Sequence, residues 1–169
     1  QMCIRDSFNY SPNWRWLMTL HTALVKIEDE KISSEKAKKF IASEKNGAES
    51  IFVGKVRNEN DGKKVVAVTY DAHEQAVIKS FQSICNNAKN KFDKNAKIFL
   101  EHAKGYTSVG EISILIAVGS GHRDEAFKIC RYILEEVKHQ SPIWKKEHYV
   151  GGKEEWLPGH SLRTKKEIK

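Results

Sequence analysis

The chain has 169 residues, of which 40% are hydrophobic and 30% charged, and its formal net charge is +7. This length suits one domain with a core of its own, and the longest apolar run, Ile112 to Val118, is far shorter than the roughly 18 residues of a membrane span. We therefore expect a soluble protein without a membrane segment. The charge predicts an anionic partner, which a nucleic acid, a phosphorylated small molecule or an acidic protein surface would each satisfy, although surface lysines also serve solubility alone.

The cysteines and histidines do not indicate a metal site. Cys3, Cys85 and Cys130 are widely spaced and form no C-x-x-C pair, which argues against a disulfide framework or a zinc knuckle and favours a reducing cytoplasm. The seven histidines include no H-E-x-x-H motif, and no cysteine is near enough in sequence to complete a tetrahedral set. We expect a cytoplasmic protein without a bound metal.

Residues 1–17 carry two tryptophans but neither a helical nor an alternating pattern, and they precede Met18. They contain no apolar stretch of the kind found in signal peptides. We interpret them as a leader that is non-native or disordered, and residues 18–169 as the domain itself.

The sequence of the first half of the domain predicts three strands and two helices. A short strand at Ala23 to Ile27 precedes a helix at Lys36 to Glu44, for which Ser33 and Ser34 offer an N-cap. The β-rich runs Glu49 to Val56 and Val65 to Tyr70 are separated by a polar loop with an Asp-Gly turn signal, which predicts a long-looped hairpin. Apolar residues at spacings of three and four then predict a helix from Glu74 to Phe92.

The second half continues with two strands, Ala96 to His102 and Glu111 to Val118, joined by a connection from Gly105 to Gly110. A second amphipathic helix is marked by Ala126 through Val137, and Pro142 forbids its continuation. An extended segment from Ile143 to Val150 and a Gly-Gly turn follow. The order of elements predicts a single α+β domain.

Cations collect at the ends of these predicted elements, where functional sites are usually assembled: Lys55 and Arg57 after a strand, His122 and Arg123 at a helix start, Lys138 at the end of that helix, and Lys145 and Lys146 beyond it. Cations at a helix N-terminus oppose the local positive potential, so His122 and Arg123 indicate an anion site.

Lys138 and Lys145 are candidate chemical groups. A lysine that is partly desolvated and surrounded by other cations has a lowered pKa, so its neutral amine can act as nucleophile or proton acceptor near neutral pH. The alternative for Lys138 is a cation that complements the negative end of the helix dipole, worth about 0.3–1 kcal/mol.

Three segments, GKVRN from Gly54, GSGHRDEAF from Gly119 and KHQSPIWKKE from Lys138, together resemble the signature segments of the large, catalytic subunit of molybdopterin synthase. Each segment is weak by itself, but their order and spacing, with a following Gly-rich turn and Trp156, are specific. The resemblance is strongest from Gly47 to Trp156.

The resemblance implies an α/β-hammerhead-like fold with a small additional β-subdomain, and a homodimer that carries a small ubiquitin-like subunit at each end. It also implies the reaction: the thiocarboxylate at the Gly-Gly C-terminus of the small subunit donates sulfur to cyclic pyranopterin monophosphate, forming the dithiolene of molybdopterin. No cofactor is implied for this transfer.

By the same resemblance, Lys138 and Lys145 correspond to catalytic lysines, and Arg57, His122 and Arg123 to residues of the pterin and phosphate pocket. Family members often carry an arginine where this chain has Gln140, which removes one cation. Two rival hypotheses stay open at this point. One is a basic RNA-binding module, which the charge favours but which lacks RRM or KH motifs, and the other is a catalytically silent scaffold that only binds the small subunit.

Overall fold

The computed structural model describes residues 18–158, and the predicted leader at residues 1–17 lies outside the described residues. Its helices are α1 (Ser34–Ile41), α2 (Glu74–Lys91) and α3 (Arg123–Gln140). Its strands are β1 (Leu20–Lys26), β2 (Ala48–Lys55), β3 (Glu59–Asn60), β4 (Lys63–Ala72), β5 (Lys97–Ser108), β6 (Ile112–Ser120), β7 (Ile143–Tyr149) and β8 (Glu154–Trp156).

The strands form one sheet with the order β2-β6-β5-β4-β7-β8. The neighbours on this path are antiparallel, whereas β1 joins β5 in parallel and β3 pairs with β4. The first half of β5 pairs with β1 and β6, and its last residues pair with β4. The predicted α+β class and the small additional β-subdomain, built from β3, β4, β7 and β8, are confirmed.

The predicted hairpin between Glu49–Val56 and Val65–Tyr70 is wrong. Strand β2 pairs with β6 over its whole length, and β4 pairs with β5 and β7. The turn signal itself is correct, because Asp61 and Gly62 have positive φ values of 47° and 75°. That turn closes only the two-residue ladder between β3 and the start of β4.

Alternation along the strands divides the core between the two faces of the sheet. On β5, Ile98 and Leu100 pack with α2 and α3, while Phe99 and Ala103 belong to the cluster that includes Ala37 and Ile41 of α1. Side chains two residues apart share a face. Glu101 therefore lies on the α1 face, and His102 on the face that carries α2 and α3.

Glu101 is a buried carboxylate, 1% exposed, that is held by two cationic or potentially cationic side chains. Its Oε1 lies 2.8 Å from Nε2 of His21 and 3.0 Å from Nζ of Lys36. Burial raises the pKa of Glu101, but the hydrogen bonds from His21 and Lys36 outweigh burial and bring the pKa below its ordinary value of 4.5. The carboxylate thus ties β1 and α1 to the centre of the sheet.

We expect Glu101→Gln to lower the free energy of unfolding at pH 7 by about 1–3 kcal/mol, because two donors lose a charged acceptor. The pKa of Glu101 is lower in the folded chain than in the unfolded chain, so its contribution is complete above about pH 4.5 and is lost as pH falls through the folded pKa. Urea unfolding from pH 3 to 7 should therefore show the wild type and the variant converging at acid pH. A constant difference across that range would contradict this assignment.

Candidate active site

A cavity of about 340 Å³ opens on the α2 and α3 face, where the end of α3 meets the sheet. Strand β2 and the residues after it supply Phe52, Gly54, Lys55 and Arg57, and α3 supplies Leu134, Val137 and Lys138. Ser141 follows α3, and the remaining walls come from β4, β5, β6, β7 and the segment after β8, which contribute Tyr70, His102, Ser113, Ile114, Ile143, Trp144, Lys145, Leu157 and Pro158. Its volume lies within the usual range of small-molecule sites.

Four cations from three parts of the chain line this cavity: Lys55, Arg57, Lys138 and Lys145. Lys138 lies in the last turn of α3, and Lys145 lies on β7 opposite Tyr70 of β4. The break between α3 and β7, which contains Pro142, lets the chain reverse so that both lysines reach one cavity. The structure therefore brings together three of the five predicted site residues: Arg57, Lys138 and Lys145.

The pKa of Lys145 is lowered below its ordinary value of 10.5. Burial is the main cause, the positive charges of Lys138 and Arg57 add to it, and the negative charge of Glu147 opposes it. Desolvation and like charges are the two effects that make the neutral amine of a lysine more accessible. The lowered pKa predicted for Lys145 is therefore present, and its cause is the predicted one.

A chain of hydrogen bonds supports the cavity from the β-subdomain. Nη2 of Arg57 donates to Oδ1 of Asn60 at 3.3 Å, and Nδ2 of Asn60 donates to Oε2 of Glu147 at 3.1 Å. The hydroxyl of Tyr149 donates to the same Glu147 oxygen at 2.8 Å, and Glu147 is 7% exposed. The short strand β3 thus connects the guanidinium of Arg57 to a buried carboxylate two residues from Lys145.

His122 and Arg123 lie at the opposite end of α3 from Lys138. His122 is the N-cap residue, its side chain makes no capping hydrogen bond, and both residues are exposed. At 1.5 Å of rise per residue, the 15 positions from Arg123 to Lys138 correspond to roughly 22 Å along the helix. Within one chain, these two predicted site residues do not reach the cavity.

A second, smaller cavity of about 170 Å³ is lined by Ile27, Lys31, Ile32, Gly110, Glu111 and Ile112. Its two charged side chains are bonded to each other, with Nζ of Lys31 2.9 Å from Oε1 of Glu111. It therefore offers a ligand little beyond apolar contact. The larger cavity is therefore the candidate site.

Within residues 18–158, no helix is long and apolar enough to cross a membrane. Over the same residues, no group of three or more histidine, cysteine or acidic side chains is arranged to hold a metal ion.

Comparison with known proteins identifies the family of this chain. The sequence model of the MoaE protein family matches residues 27–140, more than half of the chain. The chain belongs to the MoaE family. The molybdopterin synthase catalytic subunit of Synechococcus elongatus is 38% identical over 146 residues, which cover 86% of this chain and 88% of that protein.

Solved structures agree with this membership of the MoaE family. The crystal structure of molybdopterin synthase from Staphylococcus aureus has a TM-score of 0.74 at 30% identity, covering 80% of this chain and 96% of that chain. A chain in the complex of subunits 1 and 2 of the molybdopterin-converting factor from Helicobacter pylori has a TM-score of 0.67 at 20% identity, covering 85% and 94%. The latter shows the fold alone. The predicted family and its hammerhead-like fold are confirmed.

The MoaE match ends at Gln140, so Lys145 lies beyond the part of the chain that it covers. Gln140 itself is exposed and donates a hydrogen bond to Glu136 on the preceding turn of α3. It is not among the residues that line the cavity. The cavity nevertheless contains the four cations described above.

Two residues that matter to the cavity were not predicted from the sequence: His102 in its wall and Glu147 in its support. Glu147 lies within β7, whereas His102 ended the predicted strand but was not among the cations considered at element ends. A signal was available for His102, because Glu101 and His102 interrupt the otherwise apolar start of β5. Two titratable residues in the middle of a buried strand are uncommon and need an explanation.

Proposed function

We propose that this chain is the sulfur-transferring subunit of molybdopterin synthase. In this proposal it moves sulfur from the thiocarboxylated Gly-Gly C-terminus of a small ubiquitin-like subunit to cyclic pyranopterin monophosphate, which becomes the dithiolene of molybdopterin. The observation that carries the proposal is the meeting of Lys138, Lys145 and Arg57 in one cavity, with the pKa of Lys145 lowered. Membership of the MoaE family supports it.

The cavity suits two anionic reactants, a thiocarboxylate and a cyclic phosphate. Arg57 presents a planar fork that matches phosphate oxygens, and its bond to Asn60 orients the guanidinium. Lys138 assists attack of the thiocarboxylate sulfur on the pterin side chain. Lys145 accepts a proton as its neutral amine, or stabilises charge that develops as the cyclic phosphate opens.

The small subunit is the proposed protein partner. The Helicobacter pylori structure is a complex of two subunits, which supports a two-subunit assembly for this chain as well. Trp144 lines the cavity and is 50% exposed, and Trp156 nearby on β8 is 54% exposed. Exposed tryptophans are frequent anchors in protein interfaces. They would flank the extended tail of the small subunit as it enters the cavity.

A second copy of this chain is proposed to complete the site. His122 and Arg123 are assigned to the substrate pocket by their motif, yet they lie at the far end of α3 from their own cavity. Phe127, one turn further along α3, is 66% exposed, as expected for a surface that another protein covers. In a two-fold dimer, each copy can supply these cations to the cavity of the other.

Complementation tests this shared site. We expect Lys138→Ala and Arg123→Ala each to lose most activity as pure proteins. When the two are unfolded together at equal concentration and refolded, half of the dimers contain one intact cavity of two, so about one quarter of the wild-type activity should return. Refolding each variant alone is the control. No recovery, with mixed dimers demonstrated by differential tags, would place Arg123 and Lys138 in the cavity of the same copy, and full activity of Arg123→Ala alone would place Arg123 outside the site.

The direct test of the proposed function is conversion of cyclic pyranopterin monophosphate to molybdopterin by this chain and a thiocarboxylated small subunit. We expect product that depends on both proteins and consumption of two thiocarboxylates for each product. The proposal would be overturned if no product formed with a small subunit that does support product formation together with another catalytic subunit. If this chain then bound the small subunit without turnover, the scaffold hypothesis would explain the result.

A further inference from the structure

His102 is a buried histidine that lines the cavity and has no role in the steps described above. It lies on β5, is 8% exposed, and its ring meets the ring of Tyr70 edge to face at 5.0 Å between centroids. It shares the cavity wall with Lys145 of β7 and Ser113 of β6. A phenylalanine would fill the same space against Tyr70, so packing alone does not require a histidine here.

The hydrogen bond of His102 fixes the tautomer of its ring. Nδ1 lies 2.8 Å from the carbonyl oxygen of Ala103, and because a carbonyl oxygen only accepts, Nδ1 carries the proton. Burial lowers the pKa of His102 to about 4, the bond to Ala103 opposes this, and the charge of Lys145 adds to it. At neutral pH the ring is therefore uncharged, and Nε2 holds a lone pair.

An acceptor complements the cations of this cavity. The hydroxyls of Ser113 and Ser141 already bond to Gly54 and Ser80. The ammonium groups of Lys55 and Lys138 and the guanidinium of Arg57 only donate. They suit phosphate and thiocarboxylate oxygens, but they cannot receive a hydrogen bond from a substrate. A pterin ring system carries amide and amine N–H groups, each of which loses a partner on leaving water unless the protein supplies an acceptor.

We propose that Nε2 of His102 accepts a hydrogen bond from an N–H group of the substrate heterocycle and so holds the heterocycle in the cavity that also contains Lys138 and Lys145. This inference rests on the function proposed above and adds a specificity-determining residue to it. His102 discriminates in favour of heterocycles that present a donor at this position. A ligand lacking the donor leaves Nε2 unpaired in a buried site.

Three substitutions separate the acceptor from the rest of the ring. His102→Asn keeps an N–H donor near the position of Nδ1 but places no group at Nε2. His102→Phe keeps the ring volume and has no acceptor, and His102→Gln can place a carbonyl oxygen near the position of Nε2. Thermal unfolding identifies variants that fold. If the asparagine variant does not fold, the phenylalanine variant supplies the same comparison.

The measurements are KM and kcat for cyclic pyranopterin monophosphate from pH 6 to 9, with the thiocarboxylated small subunit saturating, and calorimetric binding of the same compound. We expect His102→Asn and His102→Phe to raise KM and Kd about ten-fold, as for one lost hydrogen bond in a buried site, with kcat changed less than about two-fold. His102→Gln should recover most of the affinity. The pH dependence of kcat should be the same in every variant.

Other results would separate the inference from the proposed function. If the wild type neither binds nor converts the substrate, both are overturned. If it does both, and His102→Asn and His102→Phe leave KM and Kd unchanged, only the role of His102 is overturned. A variant with unchanged KM, reduced kcat and a displaced pH profile would show that His102 acts on Lys145 rather than on substrate, which also contradicts the proposal.

Discussion

Alanine in place of Lys145 is expected to lower kcat for molybdopterin formation by about 10²–10⁴-fold, the range found when a positioned proton-transfer group is removed. Lys145 is the cavity cation for which burial, Lys138 and Arg57 all favour the neutral amine. Single-turnover formation of product, with the thiocarboxylated small subunit in excess, measures this loss independently of product release.

Lys145→Arg distinguishes a neutral amine from a fixed positive charge. A guanidinium is never deprotonated in proteins, so arginine retains the charge but cannot accept a proton. We expect this variant to be nearly as inactive as Lys145→Ala. Substantial activity in Lys145→Arg would show instead that positive charge alone suffices, and Lys145 would then belong with Arg57 as an anchoring residue.

Neighbouring lysines provide matched controls. Lys146 is the next residue on β7, where its Nζ lies 2.6 Å from Oε2 of Glu154 and over the ring of Trp156. Lys128 lies on α3 and pairs with Asp124 at 2.6 Å. Neither lines the cavity, so Lys146→Ala and Lys128→Ala should retain activity within about two-fold, as expected for exposed ion pairs of small energetic weight. Equal losses in these variants would indicate a general effect of net charge.

Glu147→Ala should have the second large effect, because this substitution removes the carboxylate that receives both Asn60 and Tyr149. Leaving the amide of Asn60 without its acceptor is expected to lower the free energy of unfolding by about 1–3 kcal/mol. Arg57 should become less ordered as well, since Asn60 connects it to Glu147. A higher KM for the substrate and a lower midpoint of urea unfolding would be observed together.

Tyr149 offers a spectroscopic readout of the same change. Its pKa is raised to about 12, first by the hydrogen bond to Glu147 and then by burial and by the charge of Glu147. Ultraviolet titration of the phenolate should show this pKa falling toward its ordinary value of 10 in Glu147→Ala. An unchanged tyrosine titration would contradict the bond between the two side chains.

Glu147→Gln isolates the electrostatic part of the effect. Glutamine keeps an acceptor for Asn60 or Tyr149, but it removes the negative charge that raises the pKa of Lys145. The pKa of Lys145 should therefore fall further, and its neutral form should become available at lower pH. The rising limb of kcat against pH should move to lower pH relative to the wild type, and a move to higher pH would contradict the proton-accepting role of Lys145.

The long helices were the part of the fold most open to prediction. The apolar stripe of α2 predicted Glu74 to Phe92, and the helix runs Glu74–Lys91. A stripe of this length is determined by residues three and four positions apart, so it is readable without knowledge of the remaining chain. The same holds for the break at Pro142, which separates α3 from β7.

Strand pairing was less open to prediction, because it depends on residues far apart in the chain. The Asp61-Gly62 turn correctly indicated a reversal, but β2 pairs with β6, whose sequence is more than 50 residues away. The prediction for Gly105 was also wrong. This glycine was predicted to lie in a connection between strands, but it lies inside β5, where it has a φ of 100° and pairs with Tyr70. A glycine that breaks a local pattern can continue a strand when its neighbours hold it.

For the site, the types of residue were predicted and their partners were not. Positive charge at element ends led to Arg57, Lys138 and Lys145, which share the cavity. The roles of Asn60 and Glu147 depend on the register of β3, β4 and β7, and no local pattern specifies that register. The separation of Arg123 from the cavity likewise follows from the length of α3. This separation is the reason for proposing that a second copy of the chain supplies Arg123.

The pairing of strand β5 affects how the cavity forms during folding. It pairs with β1, with β6 and with β4, so strands that span residues 20–120 of the sequence meet along its twelve residues. Contacts of high sequence separation form late and slow the folding of a domain. Because the cavity gathers side chains from β2, β5, β7 and α3, its cations come together in a newly made chain only when nearly the whole sheet is in register. Incompletely folded copies therefore lack a complete cavity, and under the proposed function they would not react with a thiocarboxylate.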